Sequence, residues 1–330
     1  MSLVSSPDSQ LIASGSDDGT VILWDANGQV REDRLVIFEG VRCLAFSPDG
    51  RYLSCTARSG EVTIWNLGQD TSQVATLKPT KFDFQNCAWS PDGTLLASTS
   101  VDSTLCLWDT DTLQIRLSAE GSGWPFPALY FIVFSPDGRW LATSQEHPVC
   151  HIWNVSSCTL HKELHGHTSY LSSVAFNPAS TCIATASNDN TVRIWDVETG
   201  ESLFVMEQHT DPVQDVSFSP DGSLVLSASH DGSVKVWNAS TGVMISSLER
   251  HSNRVMAACF SPCGSYIASA SSDNTVRLWR TSDSACIGTF AEHKDRVTHI
   301  AFSPNGKTLS SGDMDGTVII RQMVDILTTE

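Results

Sequence analysis

Short apolar runs and polar turns alternate along the whole chain. A run such as Val174-Ala175-Phe176 ends in a turn built around proline, a second run such as Ile183-Ala184-Thr185 follows, and a third ends at Trp195. A less regular fourth run follows at Ser202–Met206. Runs of this length, separated by proline, glycine, aspartate and asparagine, are typical of β-strands joined by tight turns. The pattern predicts units of four antiparallel strands and requires no helix.

This pattern repeats with a fixed period. Successive turn prolines are 41, 43, 45 and then four times 42 residues apart, at Pro7, Pro48, Pro91, Pro136, Pro178, Pro220, Pro262 and Pro304. A tryptophan follows each proline 17 residues later, at Trp24, Trp65, Trp108, Trp153, Trp195, Trp237 and Trp279, until Arg321 takes the eighth place. A period near 40 residues indicates a repeat architecture in which each small sheet packs on its neighbours.

The repeats predict an all-β, eight-bladed β-propeller formed by a single domain, residues 1–330. A seven-bladed ring with one additional unit is the alternative. Each blade is expected to have its own fourth strand, the last at residues 324–328. How the ring closes, and whether the chain is a fragment of a longer multidomain protein, stay open.

In the last four repeats, a histidine, a hydroxyl residue, an aspartate and a tryptophan recur at constant spacing. The complete sets are His167, Thr185, Asp189, Trp195; His209, Ser227, Asp231, Trp237; and His251, Ser269, Asp273, Trp279. A fourth set has His293, Ser311 and Asp315, with Arg321 replacing tryptophan. These positions resemble the WD-repeat family, and the near-consensus repeats resemble those of fungal NACHT-associated WD-repeat proteins.

The resemblance implies that each set, here called a tetrad, is a buried hydrogen-bonded chain from indole through hydroxyl and imidazole to carboxylate. The same residue types occur in serine hydrolases, but a set that recurs in consecutive units is expected to be structural. Among the earlier repeats, the first keeps Ser14, Asp18 and Trp24 without a histidine, and the second has Cys55 at the hydroxyl position. We therefore expect no catalytic residue, and an enzyme is not the favoured interpretation.

Charge and cysteine content narrow the functional classes. The formal net charge of −17 argues against binding to nucleic acid or to an anionic membrane. The ten cysteines are scattered, which favours structural thiols over a disulfide framework or a metal site. Neither a secretory leader nor an apolar run of membrane-spanning length is recognised. The sequence predicts a monomeric propeller of the cytoplasm or nucleus, without cofactor or metal.

The resemblance implies that proteins or peptides bind the face carrying the loop before the first strand and the turn before the third strand of each blade. Mapping by position assigns this top face to Arg42, Arg58, Gln85, Tyr170, Asn188, Gln214, His230, Arg254, Met256, Arg296 and Met314. An insertion at residues 121–130 adds Trp124 and Tyr130. Whether the insertion anchors a partner or covers the incomplete fourth repeat is left open.

Four arginines in this set (Arg42, Arg58, Arg254 and Arg296) suit an acidic or phosphorylated segment. The alternative is that they pair with turn aspartates such as Asp17 or Asp18, and both interpretations stay open. The predicted function is a non-catalytic scaffold for protein partners. Alternatives are a ubiquitin-ligase adaptor or a signalling sensor subunit and, from another class, an enzyme or small-molecule binder at the central channel.

Overall fold

The structure, a computed structural model, describes residues 2–36, 40–68, 71–78, 83–102, 104–119, 131–146 and 148–327. The chain divides into two compact units, Met1–His161 and Lys162–Glu330. Its described residues form eight antiparallel sheets, each built from strands consecutive in the chain. The predicted fold class, an all-β propeller with eight blades, is confirmed, and the seven-bladed alternative is wrong.

Blades one to four each have four strands, paired in chain order. Their strands are β1 (Ser2–Ser5), β2 (Leu11–Gly15), β3 (Thr20–Asp25), β4 (Val30–Val36), β5 (Val41–Phe46), β6 (Tyr52–Ala57), β7 (Val62–Asn66), β8 (Ser72–Leu77), β9 (Phe84–Trp89), β10 (Leu95–Ser100), β11 (Leu105–Asp109), β12 (Ile115–Ala119), β13 (Ile132–Phe134), β14 (Trp140–Glu146), β15 (Val149–Asn154) and β16 (Thr159–Leu164). The last of them runs across the boundary between the units.

Blades five to seven repeat this order, and blade eight has three strands in the part of the chain that the structure covers. The strands are β17 (Leu171–Phe176), β18 (Cys182–Ser187), β19 (Val192–Asp196), β20 (Ser202–Met206), β21 (Val213–Phe218), β22 (Leu224–Ser229), β23 (Ser233–Asn238), β24 (Met244–Glu249), β25 (Val255–Phe260), β26 (Tyr266–Ser271), β27 (Val276–Arg280), β28 (Cys286–Phe290), β29 (Val297–Phe302), β30 (Thr308–Asp313) and β31 (Val318–Gln322).

The fourth strand predicted at residues 324–328 is wrong. The chain passes from β31 directly into a short helix, α1 (Met323–Leu327). The helix places Met323 and Ile326, three residues apart, on one face. Both pack on the core between blades seven and eight, and Met323 is 4% exposed. A strand would have needed a reversing turn directly after Gln322, where the chain has Met323 and Val324, which are not turn residues.

Within each unit, the cores lie between the faces of neighbouring blades. In the second unit, Ala184 and Ile194 of blade five pack with Val213 and Val216 of blade six. The turns between the first and second strands of neighbouring blades also pack on one another. Gly222, in the turn of blade six, has φ +74°, and an added Cβ there would lie 3.3 Å from Pro178 Cδ in the turn of blade five. Within each unit, the packing of neighbouring blades holds the turns and loops at their ends in place.

Three further findings concern disulfides, metal sites and membrane spans. All ten cysteines lie in the described part of the chain and are free thiols. Among the described residues, no group of three histidine, cysteine or carboxylate side chains is positioned to hold a metal ion. Within the same residues, no helix is long and apolar enough to cross a membrane.

Candidate functional site

The tetrads of blades five to seven are continuous hydrogen-bonded chains. In blade six, Trp237 Nε1 donates to Ser227 Oγ at 2.8 Å, Ser227 Oγ lies 2.8 Å from His209 Nε2, and His209 Nδ1 lies 2.7 Å from Asp231 Oδ2. The same contacts measure 2.9, 2.7 and 2.8 Å in blade five and 2.9, 2.8 and 2.9 Å in blade seven. Each chain joins strands two and three to the preceding loop and the following turn.

These chains are closed to substrates. Ser227 is 0% exposed and His209 is 4% exposed. The contacts assign one proton arrangement: the indole N–H donates to the serine, the serine O–H donates to imidazole Nε2, and imidazole Nδ1–H donates to the carboxylate. Every polar group of the tetrad is therefore hydrogen-bonded without water. The serine hydroxyl is buried, so an acyl substrate cannot reach it. The tetrads stabilise the fold and do not form a hydrolytic site.

Blade eight completes its tetrad with residues that the sequence pattern did not identify. His293 Nδ1 lies 2.8 Å from Asp313 Oδ2, so the predicted carboxylate, Asp315, is wrong. Asp315 is exposed in the turn, whereas Asp313 at the end of β30 is fully buried. Arg321 Nη1 donates to Ser311 Oγ at 2.9 Å and replaces the indole. Arg321 also forms an ion pair with Glu292, two residues after the end of β28.

The tetrads of the first unit are shorter. Trp24 Nε1 donates to Ser14, Trp108 Nε1 to Ser98 and Trp153 Nε1 to Thr143, at 2.8, 3.1 and 3.0 Å. In blade two the hydroxyl position is Cys55, and the buried Nε1 of Trp65 has no partner among the described residues. The indole–hydroxyl contact is thus retained in three blades in which the sequence pattern has no tetrad histidine.

We expect the second unit to lose stability as the pH falls below neutrality. Burial lowers the pKa of His209 and His251, although their aspartate partners oppose the shift. Burial disfavours the Asp273 carboxylate, but hydrogen bonds from Thr275 and His251 outweigh it and lower its pKa to about 2. In both cases the unfolded chain binds protons that the folded chain does not. The stabilisation is therefore complete above the ordinary histidine pKa of 6.5 and is lost as the pH falls through the lowered values.

Urea unfolding followed by circular dichroism between about pH 7.5 and pH 4 tests this expectation. The unfolding midpoint of the second unit should decrease steadily across the range, with the first loss near the histidine value. A midpoint that stays constant or rises as the pH falls would show that the tetrad groups do not titrate in this way.

In the part of the chain that the structure describes, predicted partner-binding positions lie at one edge of their blades, where the loop before the first strand meets the turn before the third strand; this edge is here called the loop edge. In blades five to eight the turn residue donates its backbone N–H to the carbonyl of the loop residue. The pairs are Asn188 to Tyr170 (2.8 Å), His230 to Pro212 (2.9 Å), Ser272 to Arg254 (2.8 Å) and Met314 to Arg296 (3.0 Å). Arg58 to Gly40 (3.1 Å) is the equivalent pair in blade two. Residues 18 apart in sequence are thereby held side by side.

A second row of predicted positions lies at β-bulges of the first strands. The strand pairing skips one residue between Val41 and Cys43, Phe84 and Asn86, Val213 and Asp215, and Val255 and Ala257. The skipped residues are Arg42, Gln85, Gln214 and Met256. Bulges occur where a strand re-aims a side chain next to functional sites. All four residues are half-buried, so each is partly accessible beside the loop edge.

The loop edge of the second unit exposes aromatic, apolar and cationic side chains. Tyr170 is 41% exposed and Met314 is 61% exposed. Arg254 and Arg296, at equivalent positions of blades seven and eight, are exposed, and neither guanidinium has a bonding partner in the described part of the chain. Burial and the charge of Arg254 lower the pKa of His230, so this ring is neutral at neutral pH. The loop edge of the second unit therefore exposes two guanidinium groups without ion-pair partners, together with the side chains of Tyr170 and Met314.

The arginines of the first unit have different surroundings. Arg58 Nη2 lies 3.3 Å from Asp17 Oδ2, which is the alternative pairing raised from the sequence. The Nε atom of Arg42 is buried and has no hydrogen-bond partner among the described residues. Trp124 and Tyr130 of the insertion lie outside the described residues. Of the four predicted arginines, Arg254 and Arg296 are therefore the two that are exposed and have no ion-pair partner among the described residues.

Family comparisons agree with the repeat pattern. The model of the WD domain, G-beta repeat matches residues 1–25, 35–66, 72–109 and 123–154. The model of the echinoderm microtubule-associated protein second beta-propeller matches residues 171–329. Together the two models match most of both units.

Similar proteins include a protein LST8 homolog of Drosophila melanogaster, 37% identical over 113 residues, which are 32% of this chain and 36% of that protein. The small ribosomal subunit protein RACK1 of Neurospora crassa is 36% identical over 115 residues, or 31% of this chain and 35% of RACK1. WD repeat and SOCS box-containing protein 1 of Mus musculus is 32% identical over 106 residues, or 32% of this chain and 25% of that protein. The matches thus span about a third or less of these relatives.

A solved structure matches nearly the whole chain. The computationally designed Ika8 protein superposes with a TM-score of 0.85 and 25% identity, over 97% of this chain and 95% of Ika8. The recurring tetrads, the eight sheets, the two family models and this superposition agree with one another. The chain therefore contains WD40 repeats and has the fold of a β-propeller.

Proposed function

We propose that this chain is a non-catalytic interaction module that binds a partner protein at the loop edge of its second unit. The burial of the tetrad hydroxyls leaves them a structural role, and the exposed loop edge provides tyrosine, methionine and arginine, which are enriched in protein interfaces. Two of the similar proteins are named as a small ribosomal subunit protein and as a protein that contains WD repeats and a SOCS box.

The observation that carries the proposal is the pair of free guanidiniums at equivalent positions. Arg254 and Arg296 are each held by backbone hydrogen bonds at the loop position, yet their side chains contact no carboxylate in the described residues. Arginine binds carboxylate and phosphate groups through two parallel hydrogen bonds. The proposed ligand is an acidic or phosphorylated segment, whose apolar neighbours contact Tyr170 or Met314.

The Arg254→Ala/Arg296→Ala double variant tests this proposal against phosphorylated, glutamate-substituted and unmodified versions of one panel of immobilised peptides. For peptides that bind the unaltered chain, we expect the double variant to weaken binding by about tenfold or more, because charged hydrogen bonds are lost. The control is Arg280→Ala/Lys307→Ala, which removes two cations from the opposite edge of the same blades: the half-buried Arg280, paired with Asp283, and the exposed Lys307. Equal loss in the two double variants, or affinity unchanged by the first, would refute the proposal.

A further inference from the structure

A cleft lies between blades two and three, at the edge opposite the loop edge. Three turns border it: those between β5 and β6, between β9 and β10, and between β11 and β12. Its volume is about 660 Å³, within the range of small-ligand and peptide pockets. The proposed interaction at the loop edge does not use this cleft, which lies wholly within the first unit.

Two aromatic rings line the cleft. Tyr52 of β6 and Trp89 of β9 are stacked, with ring centroids 6.2 Å apart and an interplanar angle of 16°. The Trp89 ring is fixed because its Nε1 donates to Ser54 Oγ at 3.0 Å and to the Ala45 carbonyl at 3.2 Å. Six other repeats have phenylalanine at the Trp89 position: Phe46, Phe134, Phe176, Phe218, Phe260 and Phe302. The indole is therefore a feature of this cleft and not of the repeat.

Carboxylates surround the rings. Asp49, Asp92 and Asp111 line the cleft with a single cation, Arg51, whose Nε lies 3.7 Å from Asp49 Oδ2. Burial opposes ionisation of Asp49 and Asp92, but hydrogen bonds from Ser47 and Ser90 and from nearby backbone amides outweigh it and lower both pKa values. The cleft therefore stays negatively charged at neutral pH, in a chain whose formal net charge is −17.

An apolar wall extends from the rings. Ile64, Val74 and Leu113 line the same cleft. Val74 on β8 is 49% exposed, and the turn fixes Leu113 with φ +58°. A ligand that fills the cleft would thus meet aromatic faces and carboxylates on one part of its surface and aliphatic side chains on another.

We propose that this cleft binds a segment of a partner protein that presents an arginine or lysine beside an apolar residue. The cation lies against the faces of Tyr52 and Trp89, where the ring electrons attract positive charge, and the carboxylates add Coulombic attraction. Arginine fits best because its planar guanidinium stacks on aromatic rings and is weakly hydrated. The apolar neighbour packs on Val74 and Leu113. This second partner site has the opposite charge preference to the loop edge.

Fluorescence anisotropy with a labelled Gly-Ala-Arg-Leu-Ala-Gly peptide tests the proposal. Comparison peptides replace the arginine with citrulline, which has the same shape without the charge, or with glutamate. We expect the arginine peptide to bind at least about tenfold more tightly than either, and added salt to reduce the difference. Equal binding of the arginine and citrulline peptides, or no anisotropy change up to millimolar protein, would overturn the proposal.

Two variants locate the binding. Trp89→Phe restores the residue of the other repeats, so the fold should persist while affinity for the arginine peptide falls by about fivefold. Asp111→Asn removes an exposed charge and should weaken binding by about threefold. Glu198→Gln removes the exposed carboxylate of the equivalent turn in blade five and should leave affinity unchanged. If neither cleft variant alters affinity, or if Glu198→Gln has the same effect, the peptide binds elsewhere.

These tests are independent of the proposed function. The Arg254→Ala/Arg296→Ala variant should bind the arginine peptide as the unaltered chain does, because both arginines lie in the other unit. Failure of the cleft proposal would leave the loop-edge proposal unaffected, and the reverse also holds.

Discussion

Replacing Ser227 with alanine should lower the free energy of unfolding by about 3 kcal/mol. The hydroxyl accepts the Trp237 indole N–H and donates to His209, at 2.8 Å each. All three side chains are buried, so the variant leaves an N–H donor and a ring nitrogen without water or any other partner. Each such group costs about 1–3 kcal/mol. Urea unfolding monitored by circular dichroism measures the difference.

Ser217→Ala is the matched control for this prediction. Ser217 lies in the same blade, on β21, and its buried Oγ has no partner among the described residues. Its removal should change stability by less than about 0.5 kcal/mol, because no hydrogen bond is lost. Similar losses in the two variants would mean that the tetrad contributes no more than any buried hydroxyl.

Arg321→Ala should destabilise the chain by about 2–3 kcal/mol. Arg321 is 8% exposed, and its guanidinium donates to Ser311, pairs with Glu292, and lies 4.9 Å from the centroid of the Phe290 ring. Alanine removes these contacts and leaves the buried Ser311 hydroxyl without the Arg321 donor. The expected loss stays below that of a fully buried ion pair because the Glu292 side chain is 56% exposed and can be hydrated.

Two further variants separate the charge from the geometry. Arg321→Lys keeps the charge, but a single ammonium cannot reproduce the forked contacts to Ser311 and Glu292, so an intermediate loss is expected. Arg280→Ala removes a partly exposed arginine that pairs with Asp283 and should cost less than about 1 kcal/mol. If Arg321→Ala costs no more than Arg280→Ala, Arg321 does not replace the tetrad indole energetically.

The repeat pattern predicted most of the fold because its signals are local. Strand alternation and turn residues are set by neighbours in the chain, and they recur eight times. The constant spacing of His209, Ser227, Asp231 and Trp237 likewise identified the tetrad members, since the same strand lengths separate them in each repeat. Comparison of equivalent positions in the repeats also identified the loop-edge residues. The backbone hydrogen bond from Ser272 to Arg254, however, depends on the pairing of the strands and could not be predicted from the sequence.

The constant spacing of the repeats predicted the wrong carboxylate and the wrong final element in the last repeat, which departs from the others. Two aspartates, Asp313 and Asp315, lie within reach of the same turn, and the sequence alone does not decide which one meets His293. The pairing of β30 with β29 and β31 buries Asp313 and leaves Asp315 in solvent. The residues after β31 are apolar enough for a strand, but packing of Met323 and Ile326 on the core favours a helix.

The sequence by itself therefore determined the β class, the number of blades and the composition of each regular tetrad, because these depend on short, repeated stretches of chain. Tertiary structure alone decided which carboxylate completes the eighth tetrad, which arginines are free, and that Tyr52 and Trp89 share a cleft. Those outcomes depend on how one sheet packs against the next. Such contacts join residues far apart in sequence, and the periodicity of the repeat carries no information about them.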